Sequence, residues 1–232
     1  MSPPLGEEAL PGQFLTKYLC QKLVPRMLAA SERGTFGGER IFAVIMFVDI
    51  HGYSTLAERL EPERVMEILN RNLGCIVEAI FAHDGAVLQL LGDGALVAFG
   101  VHETRPDDPQ RAARAALEVH ARLRTLQAGV PDAEQVSVAI GLDCGEVVCG
   151  NIGHEQRLEF GLVGDTMNVA ARVQGLARSG ETLLTSNLAD LLGAGFQVEP
   201  IEETMVKGRS QPVRVLRLIS ADAPAPEPGW EI

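Results

Sequence analysis

A chain of 232 residues with ordinary composition is long enough to bury a full core, so one large domain with added segments is expected. Its net charge of −11 argues against general nucleic-acid binding or an anionic membrane surface, because either partner needs a basic patch. No apolar run reaches the roughly 20 residues that span a bilayer, and the opening MSPPLGEEALPG lacks a basic region followed by an apolar core, so a cytoplasmic protein without membrane insertion is expected.

Residues 1–12, rich in proline and glycine, read as a poorly ordered terminus. Residues 13–40 hold FLTKYLCQKLVPRMLAA, whose Leu15, Leu19, Leu23 and Met27 recur every four residues as in an amphipathic helix interrupted near Pro25, and then the joint GTFGGER. Cys20, Cys75, Cys144 and Cys149 show neither CxxC spacing nor companion histidines, which disfavours zinc and a disulfide framework.

The run IFAVIMFV, 41–48, reads as a buried strand that stops at Asp49. A carboxylate inside such a strand would be costly, whereas at its end it can meet a cation. Gly52 permits a tight turn, after which the amides of Tyr53, Ser54 and Thr55 open a helix suited to phosphate. Pro62 starts a long helix whose apolar face runs from Val65 to Phe81 and which ends at His83-Asp84-Gly85. Residues 86–99 read as a hairpin turning at Gly92-Asp93-Gly94. After the polar loop TRPDDPQ comes a helix with Ala112, Ala115, Ala116, Val119, Leu123 and Leu126 on its apolar side.

VSVAIGLDCGEVVCGN, 136–151, reads as two strands about a turn at Gly145, and a short helix follows Gly164-Asp165. Thr182–Thr185 reads as a strand, 187–193 as a helix, and 196–201 and 213–218 as strands before an Ala/Pro/Glu tail with the composition of disorder. The order describes an α+β fold, a ferredoxin-like βαββαβ sandwich with helices packed on a mainly antiparallel sheet. In a split βαβ sheet the strands carrying Asp49 and Asp93 can be neighbours, and their carboxylates could hold two hard divalent ions beside a triphosphate. Taken alone, Asp49 also reads as a loop or capping acid, and Gly-Asp-Gly as no more than a good turn.

FVDIHGYS, LLGDGALVAFG, GLDCGEVVCGNIG, GLVGDTMNVAARV and VKGRSQP occur in the order of class III nucleotidyl cyclases, the adenylyl and guanylyl cyclase homology domain, and residues 41–218 resemble that family. The resemblance implies a catalytic domain over 41–219 followed by a tail at 220–232, with the 14–30 helix similar to the segment that transmits signals in many bacterial members. It implies that Asp49, Asp93 and the Ile50 carbonyl bind two Mg2+ or Mn2+ ions. It gives Asn168 and Arg172 the ribose and the transition-state charge on the α-phosphate, and Lys207 the terminal phosphates. The implied reaction converts a nucleoside triphosphate to its 3′,5′-cyclic monophosphate and pyrophosphate, in composite sites shared by a homodimer under an upstream regulatory domain or protein. His51 and His154 match no functional position of the family.

Two positions depart from the pattern. Adenylyl members place a lysine four residues before the second metal aspartate and an aspartate or threonine seven before the asparagine, and here these are Gln89 and Gly161. A glutamine amide can pair with adenine or, turned over, with guanine, and cytosine and uracil edges offer the same two arrangements. ATP is therefore favoured, with GTP close behind and a pyrimidine nucleotide as an alternative. The competing readings are a cyclase-like regulatory module without turnover, and a diguanylate-cyclase-like palm, whose GGDEF-type turn the sequence lacks.

Overall fold

The computed structural model describes residues 38–154, 157–201 and 213–222, together with Leu23, Val24 and Arg26. Strand β1, Gly38–His51, runs through the middle of an eight-stranded sheet. Helices α1, Tyr53–Arg59, and α2, Pro62–Ala82, lead to the hairpin of β2, Ala86–Leu90, and β3, Gly94–Phe99. Helix α3, Asp108–Gln127, then returns the chain to the long strand β4, Ser137–His154. The spatial order β2-β3-β1-β4, antiparallel throughout, is that of a ferredoxin-like βαββαβ core, as expected.

Beyond this core β5, Arg157–Val163, pairs with the outer half of β4, and α4, Asp165–Gln174, crosses back over the sheet. Strand β6, Thr182–Thr185, lies parallel to β4. Helix α5, Ser186–Leu192, the edge strand β7, Phe196–Pro200, and β8, Val215–Ala221, which lies between β6 and β7, complete the fold.

The pleat of β1 sorts the core into two layers. Val44, Met46, Val48 and Ile50 face the main cluster under α2, α3 and α5, where Ile76, Ile80, Val119 and Leu188 are buried. Ile41, Ala43 and Ile45 face the other way, into a cluster closed by Ala170 of α4, by Leu162 of β5 and by Leu23 from the N-terminal segment. Leu23 is buried and Arg26 donates to Glu39 at 2.6 Å, so this part of the 14–30 segment packs on the domain.

One expectation is corrected. Gly145 does not turn the chain: β4 runs straight through it, with Gly145 opposite Ala43 of β1. Glycine is needed there for packing, because a Cβ would sit 2.6 Å from Oγ1 of Thr166 at the start of α4. At the other end of that helix a Cβ on Gly141 would collide with the backbone of Gln174. Helix α4 thus rests on β4 at two points where the strand has no side chain. The reversal comes instead at the tip of the β4–β5 pair, and β5 is a strand that the sequence reading left unassigned.

Candidate active site

Asp49 lies where β1 runs out, directly opposite Gly94 at the start of β3, and the Ile50 amide donates to the Asp93 carbonyl at 3.0 Å. That bond ties together the backbones of both acids. The two glycines beside Asp93 serve different ends. Gly92 takes the left-handed turn conformation at φ 71°, whereas a Cβ on Gly94 would press 2.5 Å from the Val48 carbonyl beside Asp49.

The Asp49 carboxyl is held above the usual carboxylate range, chiefly by burial, then by the negative charge of Asp93, with His51 opposing. Its role is not capping, since Gly52 occupies the N-cap of α1 without a side-chain bond. Among the described residues neither Asp49 nor Asp93 forms an ion pair with lysine or arginine, and Asp49 has only His51 Nε2 at 3.7 Å. Two half-buried carboxylates left to repel one another fit a hard divalent cation. No group of three or more His, Cys, Asp or Glu is gathered for a metal among the described residues, so any ion here would complete its shell with water or substrate oxygens.

His51, which matches no functional position of the family, stands two residues along β1 from Asp49 and hence on the same face. The period of two was the signal for it. Gln89 reaches that face by an irregularity. A bulge between Val87 and Gln89 shifts the register, so that Gln89 opposes Leu96, which in turn opposes Phe47 of β1. Strict alternation from Val87, which packs on the main core, would have turned Gln89 towards α2 and α3.

On α4, Val169, Ala170 and Val173 are buried, while Asn168 is exposed and Arg172 half-buried. Neither Asn168 nor Arg172 has a side-chain hydrogen bond or ion pair among the described residues, and Arg172 is not among the charges acting on Asp49. Gly161 pairs with Gly150 across the β4–β5 arm, which by alternation puts it on the opposite face from Gln89. A Cβ at Gly161 would lie 3.1 Å from Ile152 Cδ1, so that neighbour already fills the space. Tyr53 packs partly against the core, with Ser54 and Thr55 exposed at the start of α1. His154, at the tip of the arm, is exposed, and Lys207 lies outside the described residues. One chain therefore joins Asp49, Ile50 and Asp93 at one strand end, puts Gln89 on the same face, and leaves Gly161 apart from them.

Comparison with known proteins identifies the family. An uncharacterized protein of Mycobacterium tuberculosis is 34% identical over 193 residues, 81% of this chain and 35% of that protein. "Adenylate cyclase 1" of Rhizobium meliloti is 28% identical over 208 residues, 84% of this chain and 31% of that protein. The chain spans about a third of the length of these curated relatives. Among solved structures, that of the guanylyl cyclase Cya2 superposes with a TM-score of 0.76 at 30% identity, over 82% of this chain and 97% of the other. Among the described residues, no helix is long and apolar enough to cross a membrane. Residues 41–217 match the family described as the "Adenylate and Guanylate cyclase catalytic domain", and the chain belongs to that family.

Proposed function

We propose that the protein is a cytoplasmic, homodimeric nucleotidyl cyclase that converts a purine nucleoside triphosphate to its 3′,5′-cyclic monophosphate and pyrophosphate. The observation that carries this reading is the pair Asp49 and Asp93, tied at one strand end and without a lysine or arginine partner among the described residues, with the Asp49 carboxyl raised by burial and then by the charge of Asp93. Asp49, Asp93 and the Ile50 carbonyl would hold two Mg2+ or Mn2+ ions. When bound, such ions lower the pKa of the attacking hydroxyl and neutralise charge on the leaving phosphates.

The rest of the reaction falls to the chain's own groups. Asn168 holds the ribose so that its 3′-hydroxyl points at the α-phosphorus, and Arg172, one turn on, donates to the α-phosphate oxygens as charge builds on them. The 3′-oxygen forms its bond to phosphorus as the bond to the bridging oxygen breaks, and pyrophosphate leaves opposite, steadied by Lys207 and the amides of Tyr53, Ser54 and Thr55. Among the described residues Asn168 and Arg172 have no side-chain partner, which leaves both free for these roles. Each site takes its metal half from one subunit and its α4 half from the other, as the resemblance to the family implies.

Gln89 reads the base, and Gly161 withdraws the second discriminating hydrogen bond. Loss of one such contact lowers discrimination by about 1–3 kcal/mol, so ATP is preferred only modestly over GTP. Incubating the protein with Mn2+ and ATP, GTP, CTP or UTP in turn tests the reading. Cyclic AMP and cyclic GMP with stoichiometric pyrophosphate are expected, and Asp93→Ala should lower both rates by about a hundredfold or more. No product from any of the four would leave a regulatory module without turnover, and full activity in Asp93→Ala would refute the metal assignment.

A further inference from the structure

The ligands proposed for the metal ions, Asp49, Asp93 and the Ile50 carbonyl, are all oxygens, and one side chain beside them has no part in the reaction described above. His51 is the last residue of β1 and is still held in the sheet, opposite Ser137 of β4, while Asp49 opposes Ala139. Alternation sets Asp49 and His51 on one face, and Ile50 between them is buried on the other. The imidazole is thus placed by the strand ladder and not by a loop.

Its surroundings leave it little else to do. Among the described residues the ring forms no hydrogen bond, and Asp49 is its only ion-pair neighbour, with Nε2 standing 3.7 Å from Oδ2. That separation is too long for a hydrogen bond. It suits two ligands of one ion, since donors about 2.1 Å from a metal lie about 3.0 Å apart at right angles and about 4.2 Å apart across it. Ser137, directly across on β4, does not engage the ring, because its hydroxyl is paired with that of Ser179. Both side chains are open to an ion from solvent, His51 being 38% and Asp49 42% exposed. An ion pair so exposed contributes little to stability and gives no reason for a histidine at this position.

We propose that His51 is a ligand, through Nε2, of the ion held by Asp49, so that each subunit supplies one nitrogen donor besides its oxygens. This role rests on the metal reading of Asp49 and Asp93 and adds to it a preference among ions. Magnesium takes oxygen ligands and keeps several waters, whereas imidazole suits transition metals, for which affinity rises from Mn2+ to Co2+. The chain therefore favours Mn2+ and Co2+ over Mg2+ by more than its oxygen ligands alone would give.

Electron spin-echo envelope modulation of bound Mn2+ reads this ligand directly, because a coordinated imidazole nitrogen modulates the echo and an oxygen does not. The full chain with substoichiometric Mn2+ and no nucleotide should show 14N modulation, replaced by 15N modulation when histidine alone carries 15N. His51→Gln should lose the signal and bind Mn2+ at least about tenfold more weakly, while its Mg2+ affinity falls by less than about threefold. Asp93→Ala separates the two assignments. Mn2+ that binds the natural protein, is weakened in Asp93→Ala and shows no histidine nitrogen would overturn the role of His51 and leave the metal reading standing. A histidine signal and an affinity both unchanged in Asp93→Ala would support His51 as a ligand and remove Asp93. Equal Mn2+ affinity in the natural protein and His51→Gln, a nitrogen signal that survives in His51→Gln, or no bound Mn2+ at all would each overturn the proposal. The echo of the natural protein needs no variant, and circular dichroism checks that His51→Gln is folded.

Discussion

Asp49 is in an unfavourable place for a carboxylate. Burial and the neighbouring Asp93 both push its proton affinity up, and only His51 offsets them. Such local conflict persists where function needs it. Asp49→Asn should therefore leave the metal-free protein at least as stable as the natural one in a thermal melt, while removing the rise in Tm that Mn2+ gives the natural protein. A variant that melts clearly lower without metal would show that Asp49 is a structural acid. A second residue sets the behaviour in acid. His120 on α3 has its pKa lowered to about 4, first by burial and then by Arg124, while its Nε2 lies 2.8 Å from Thr182 Oγ1. An unfolded imidazole protonates near pH 6.5, so between pH 6.5 and 4 the unfolded chain binds more protons and stability falls by up to about 3 kcal/mol. His120→Gln keeps a polar partner for Thr182 and cannot charge. Its denaturant midpoint should fall less than that of the natural protein across the same window.

At the scale of elements, the long helices, the β2–β3 hairpin and the strand that ends at Asp49 were legible in the sequence, because hydrophobic period and turn chemistry are local signals. The failures were equally physical. Gly145 reads as a turn because glycine usually marks one, but its reason is the approach of Thr166, a contact between residues far apart in sequence. Strand β5 escaped because RLEFGLV shows no clean alternation and pairs only with the projecting half of β4. The bulge that swings Gln89 to the Asp49 face left no mark in the sequence at all. Gly145→Ala tests the packing account. The added methyl must push α4 away from β4, which should cost about 1–3 kcal/mol of stability and lower kcat, because α4 carries Asn168 and Arg172. Half-saturation by Mn2+ should stay unchanged, since the β1–β3 end is untouched. An unperturbed kcat would separate α4 from the chemistry.

The two sets of proposed functional groups stand on different supports, Asp49 and Asp93 at a strand end and Asn168 and Arg172 on helix α4. Among the described residues Arg172 forms no ion pair with Asp49. The proposed homodimer has two shared sites, in which closed two-fold symmetry supplies each half to the other. The most direct measurement mixes two inactive variants, Asp93→Ala and Arg172→Ala, under conditions that allow subunits to exchange. Half of the dimers are then hybrids, each with one intact site and one doubly damaged site, so the mixture should recover about a quarter of the natural activity. A mixture that stays as inactive as its components would contradict the composite site and, with it, the assignment of the two halves.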